Sequence, residues 1–169
     1  AFPGPTRAAP DRFAARLLVS IASGLGGRFV EELRDRQSLA YTVRAFASDR
    51  RLAGLLAAYI ATGPEQEAQA RDGLLREFGK LREVPVTDDE LQRAKTYALG
   101  THAIGRASGD GRLAEMLDAW LLGTGLSELA TFEASITSVQ PADIQALANR
   151  YFDETRCIVG VVRGTGRRV

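Results

Sequence analysis

The spacing of apolar positions changes period twice along this chain. Phe13, Leu17, Leu18 and Ile21 recur at helical intervals behind Pro10 and Asp11, which predicts a helix over residues 10–23. Glycines at 24, 26 and 27 interrupt it, and "RFVEELRDRQ" predicts a short second helix over 28–37. From Tyr41 to Arg50 the pattern alternates in twos, as a half-buried strand does. "LAGLLAAYIATG" (52–63) then reads as a second, mostly buried strand that stops at Gly63-Pro64, so the pair predicts an antiparallel hairpin.

The helical period returns after Pro64. It predicts helices over 64–84, 86–105, 108–125, 126–139 and 140–152. The second opens on a capping box, Thr87 to Glu90, and the last has Pro141 at its first position with Asp143 placed to complete a cap. Met116, Leu117 and Trp120 read as core positions. "TRCIVGVVRG" (155–164) reads as a closing apolar strand, and "AFPGP" as the end of an edge strand or a loop. Strands early and last, with helices grouped between, point to the α+β class: a mainly antiparallel sheet with helices layered on one face. No repeat or low-complexity linker divides residues 1–169, which are expected to form a single domain.

Composition removes several function classes. Lys and Arg number 22 against 21 Asp and Glu, and they are interspersed, so no footprint for nucleic acid or a polybasic membrane patch stands out. The short basic tail "RGTGRRV" reads as a solvated terminus. No apolar run is long enough to predict a membrane-spanning helix. The lone Cys157 rules out an internal disulfide and reads as a small buried hydrophobe; it fits cytoplasm or periplasm alike.

The catalytic inventory is also short. One histidine, His102, cannot build a zinc site of the two-histidine hydrolase type, and a structural or solvated role is expected for it. No G-x-S-x-G nucleophile elbow is present to recruit it into a triad. "SGLGGR" could cradle a phosphate, but it follows a helix instead of a strand, so a tight helix–helix turn is the better reading. Asp88 and Asp89 suit a helix N-terminus, where they complement the dipole. Catalysis by this chain alone is not expected.

The order "GLGGRFVEELRDRQSLAYTVRAF", "TGPEQEAQARDGLLREFGKL", "VPVTDDELQRAKTYALG" and "SITSVQPADIQALANRYF" resembles the carboxy-terminal type of domain in the pitrilysin/insulinase family of zinc metallopeptidases, which includes mitochondrial processing peptidase-like proteins. The likeness runs from "FPGP" to "CIVGVV". It implies paired homologous domains around a chamber. One carries an inverted His-x-x-Glu-His zinc motif; the other lacks it and contacts the substrate. This chain looks like the second kind: no metal or cofactor of its own, zinc in a homologous partner domain, and a peptide as substrate. The resemblance also implies an excised piece of a longer chain, without the strand or two that the family has before "AFPGP".

In the stretch "EELRDRQSLAYTV", the resemblance implies that Arg34 and Tyr41 reach the partner's active site, holding the substrate backbone and the oxyanion. Read from the residues alone, Arg34 pairs with Glu31 one turn back and Tyr41 merely starts a strand. Two other readings stay open. Relatives of these domains serve as scaffold subunits without proteolysis, and the hairpin 41–62 could take up a peptide strand on its own.

Overall fold

Three strands and six α-helices follow one another in nearly the predicted order. The computed structural model describes residues 1–24 and 26–164; Leu25 in the glycine turn and residues 165–169 of the basic tail lie outside it. The elements are β1 (Phe2–Gly4), α1 (Arg12–Ser23), a π-helical segment (Val30–Arg36), β2 (Thr42–Asp49) and β3 (Gly54–Ala61), then α2 (Glu67–Glu83), α3 (Asp88–Gly105), α4 (Gly109–Leu121), α5 (Glu128–Ser138) and α6 (Pro141–Tyr151). The architecture is α+β, with the antiparallel sheet ordered β1-β3-β2.

Alternation along the hairpin decides which face is covered. Val43, Ala45, Leu56, Ala58 and Ile60 share the side that meets the helices, whereas Arg44, Phe46 and Tyr59 on the other side are exposed. Thr42 sits opposite Ala61 and Asp49 opposite Gly54. At the outer side of β2, the Ser23 hydroxyl accepts the Ala45 N–H at 2.7 Å and donates to the Ala45 carbonyl at 3.3 Å. On the other side of the sheet β1 is short, pairing Phe2–Gly4 with Gly54–Leu56 only.

The helices meet the sheet through an aromatic knot. Phe78 of α2 lies 4.9 Å from Phe2, 5.1 Å from Phe29 and 4.8 Å from Phe152, centroid to centroid, with all four rings buried. Edge-on contacts at these distances add about 0.5–1.5 kcal/mol per pair beyond area burial. The capping box of α3 is formed, with Thr87 Oγ1 accepting from the Glu90 N–H at 3.2 Å. Asp143 likewise accepts from the Gln140 N–H at 2.8 Å.

Two expectations are corrected. Residues 155–164 form no strand: after a 3-10 turn at Glu154–Arg156 the chain runs on with Ile158 exchanging both backbone hydrogen bonds with Ala1 and no further ladder. One pair is too little for a strand, so Cys157 is half-buried at the core margin and Ile158 and Val162 are exposed. Met116, Leu117 and Trp120 are not core. Trp120 is 69% exposed, because α4 turns its apolar stripe away from the sheet and buries only Ala119. Asp11 stands at the N-cap position where α1 starts, with no side-chain cap hydrogen bond; its carboxylate meets Arg150 at 3.3 Å.

Candidate functional site

The junction between the π-helical segment and β2 is assembled on a buried base. Phe29, Leu33 and Leu39 are inaccessible, and Val30 nearly so. Gly73 of α2 permits this close approach: a Cβ there would come within 2.8 Å of Leu33 Cδ2. Arg28, at the entry, donates from Nε to Glu90 Oε1 at 2.6 Å and from Nη2 to Glu90 Oε2 at 2.7 Å, and it also reaches the Val84 and Pro85 carbonyls at 3.0 Å. This fork holds the Glu90 carboxyl down at about 2, against an ordinary 4.5.

The helix ends in an unusual way. The Gln37 N–H reaches the Glu32 carbonyl at 3.0 Å, the wide π spacing, and Ser38 takes the left-handed conformation at φ 51°. From there the Ser38 N–H returns to the Arg34 carbonyl at 3.1 Å and the Leu39 N–H to the Leu33 carbonyl at 2.9 Å. A left-handed residue that is not glycine costs about 1–3 kcal/mol and persists only where its surroundings hold it. Thr62 Oγ1, donating to the Leu39 carbonyl at 2.6 Å, ties the turn to the far end of β3.

On this base stand the two residues singled out above. Tyr41 is 93% exposed and directly precedes β2. Arg34 does not pair with Glu31. Its Nε donates to Asp35 Oδ1 at 2.8 Å and its Nη2 to Asp35 Oδ2 at 3.4 Å, while Glu31 is taken by Arg36. Asp35 holds the Arg34 guanidinium further above its ordinary value, and Tyr41 stands near enough to contribute weakly. Beside Tyr41 runs a shallow groove of about 400 Å³ lined by Ser38, Ala40, Thr62, Gly63 and Gln66. The junction therefore brings an exposed phenol and an exposed guanidinium to one edge, next to a groove open to solvent. Among the described residues no three His, Cys, Asp or Glu side chains converge to hold a metal ion.

Residues 1–97 match the sequence model of the family described as peptidase M16 inactive domain. The chain belongs to that family. The M16 domain is 29% identical over 155 residues to an uncharacterised zinc protease of Streptomyces coelicolor, covering 86% of this chain and 32% of that protein. The peptidase M16 inactive domain from Pseudomonas fluorescens superposes with a TM-score of 0.82 at 21% identity, over 91% of this chain and 37% of that one. A chain of Complex III2 from Candida albicans shares the fold with a TM-score of 0.76 at 14% identity, over 89% of this chain and 38% of that chain. The M16 domain thus spans about a third of the Streptomyces relative, whose name is that of a zinc protease.

His102 has a defined role within this M16 domain. Its Nε2 lies 2.6 Å from Glu115 Oε1, and its ring stacks on Phe132 with centroids 3.9 Å apart, which joins α3 to α4 and α5. Several features escaped sequence reasoning: the π spacing, the left-handed Ser38, the Asp35 partner and the Gly73 contact. Only Gly73, a glycine inside a helical pattern, carries any local signal.

Proposed function

We propose that this domain is the non-catalytic, substrate-binding half of a zinc metallopeptidase, closing over the zinc site of a homologous partner domain. The observation that supports it best is the pairing of exposed Arg34 and Tyr41 on a rigid, buried base beside an open groove. Exposed side chains gain nothing from such an anchor unless they must be held in place for something outside the chain.

Zinc in the partner would supply the activated water. The work of this chain is to bind and to stabilise charge. A peptide lying along the groove would present backbone carbonyls toward Tyr41. Negative charge developing on the scissile carbonyl oxygen is then met by the Tyr41 O–H and by Arg34, whose Nη1 makes no hydrogen bond among the described residues. Asp35, gripping the opposite side of the guanidinium, fixes its plane.

The same reading gives a use to one uncovered sheet edge. Among the described residues no strand covers Ala57–Ala61 on the side where β1 pairs with Gly54–Leu56, and β1 points along that gap. We expect that edge to accept an added strand, and the amides of Ala58 and Ile60 to exchange with solvent more slowly once it is covered.

The test is the peptidase rate of the intact assembly with Arg34→Ala or Tyr41→Phe. Each change should lower kcat/KM by roughly 100-fold, the usual effect of losing one oxyanion donor. Unchanged rates would return both residues to the surface. The shared fold with the Complex III2 chain favours a second reading, a scaffold without proteolysis. An intact assembly that binds zinc nowhere and cleaves nothing would select it.

A further inference from the structure

A second cleft lies at the opposite end of β2. From Tyr41 to Asp49 the strand advances eight residues, roughly 26 Å, so the two sites are separate. The cleft encloses about 530 Å³ between α1, the end of β2, the last turn of α3, α4 and α5. Its apolar wall includes Phe13, Val19, Phe46 and Phe132.

Its charged groups are matched except for Arg16 and Asp118, which have no ion-pair partner among the described residues. Glu128 is buried and held by Arg7 and by Arg12, the latter at 3.0 Å. Burial alone would raise its carboxyl, but the Arg12 hydrogen bond, the Thr124 N–H and the two guanidiniums outweigh that and leave it lowered. Asp49 meets Arg7 at 3.3 Å, and Glu115 meets His102 at 2.6 Å and Arg106 at 3.3 Å. Arg16 has no carboxylate partner among the described residues. Its guanidinium sits 5.0 Å from the Phe132 ring centroid, on the cleft wall. Arg16 is exposed as a residue, and the crowding of its guanidinium against the wall lowers its pKa, partly offset by Asp49 and Glu115. Arg7 lines the same cleft, but its Nε is buried behind the wall without a hydrogen-bond partner.

We propose that this cleft binds a small amphipathic carboxylate, with Arg16 as the anchor of its charge and Phe46, Val19 and Phe132 receiving its apolar group. A guanidinium fork matches a carboxylate in two parallel hydrogen bonds, and pairing in a half-desolvated cleft is worth more than pairing in open water. The lining carboxylates do not defeat an incoming anion, because Asp49, Glu115 and Glu128 are each already paired with a guanidinium. Asp118 is the lining acid left without an ion pair among the described residues, and its charge opposes an anion, so the ligand's carboxylate must sit on the Arg16 side of the cleft. Recognition therefore rests on the Arg16 fork and the apolar wall together. Inorganic phosphate, which has no apolar part, should bind worse than an aryl carboxylate.

The test titrates the chain with N-acetyl-L-phenylalanine and, in parallel, with its primary amide, following backbone amide shifts. The acid should move the resonances of Arg16, Phe46 and Thr101 with a dissociation constant on the order of 1 mM, and the amide should bind at least tenfold more weakly. Arg16→Gln should erase the preference for the acid while leaving all other resonances in place, and Arg16→Lys should restore part of it. Equal binding of acid and amide, unchanged binding to Arg16→Gln, shifts elsewhere on the surface, or no shifts up to about 10 mM would each overturn the proposal.

Discussion

Helices α1 and α4 carry the same apolar spacing and meet opposite fates. In α1, Ala14, Leu17, Leu18, Ile21 and Ala22 occupy one face; in α4, Leu113, Met116, Leu117, Trp120 and Leu121 do so at identical intervals. Leu17 is 0% exposed and its neighbours on that face are buried too, whereas every member of the α4 stripe is exposed. Amphipathic period thus says that a helix has an apolar face, but not that its own chain covers it. What differs is the company. Helix α1 lies against β2, α3 and α6, while α4 has α5 as its main packing partner and is otherwise held by His102 and Arg106 through Glu115.

The comparison is broken most severely at α1. Leu17→Ala should cost about 2–5 kcal/mol of folding stability, read from the midpoint of urea unfolding, because the cavity it leaves has no route to solvent. Gly73→Val comes next. Its side chain would be driven onto Leu33 Cδ2, and overpacking of this kind costs about 1–3 kcal/mol. A loss of under 0.5 kcal/mol at Gly73 would mean that α2 and the junction are less tightly joined than their geometry implies.

Helix α3 links the two regions, and acid should loosen it from one end. The folded Glu90 carboxyl, at about 2, lies below its ordinary 4.5, so folding favours the charged form. That contribution is fully present above pH 4.5 and is lost as pH falls through 2. After discounting for solvent at this partly exposed pair, it amounts to about 1–2 kcal/mol. Glu90→Gln should flatten the corresponding part of the stability–pH profile between these limits.

The smallest effect is expected where the apolar surface is largest. Trp120→Ala should change the stability of the isolated chain by less than about 0.5 kcal/mol. As the chain's single tryptophan, Trp120 should also be quenched freely by acrylamide. If the substitution instead costs as much as Leu17→Ala, the contrast between the helices disappears.

The elements were legible in the sequence wherever period and punctuation agreed. The hairpin ends, the Thr87–Glu90 box and the Pro141 start all fell within a few residues of their observed places. The closing strand was misread because "CIVGVV" has the composition of a strand, whereas a strand needs a neighbour, and only Ala1 provides one pair of bonds. Arg34 and Tyr41 are singled out by the resemblance, and the sequence carried no sign of their surroundings. Asp35 displaced the expected Glu31 partner because the π spacing shifts which side chains share a face, and no pattern of hydrophobicity announces that shift. Arg16 was invisible for a simpler reason: on a helix wheel it belongs to the polar face, and only the tertiary arrangement turns that face into a cleft wall.

The Ser23 hydroxyl gives the sheet a direction of growth. By occupying both backbone groups of Ala45, it denies a foreign strand its first foothold beside β2. A further strand therefore meets less obstruction on the β1 side. Removing that one oxygen, as in Ser23→Ala, would leave the fold its core and take away its guard, so the earliest sign of damage would be aggregation while the protein still melts normally.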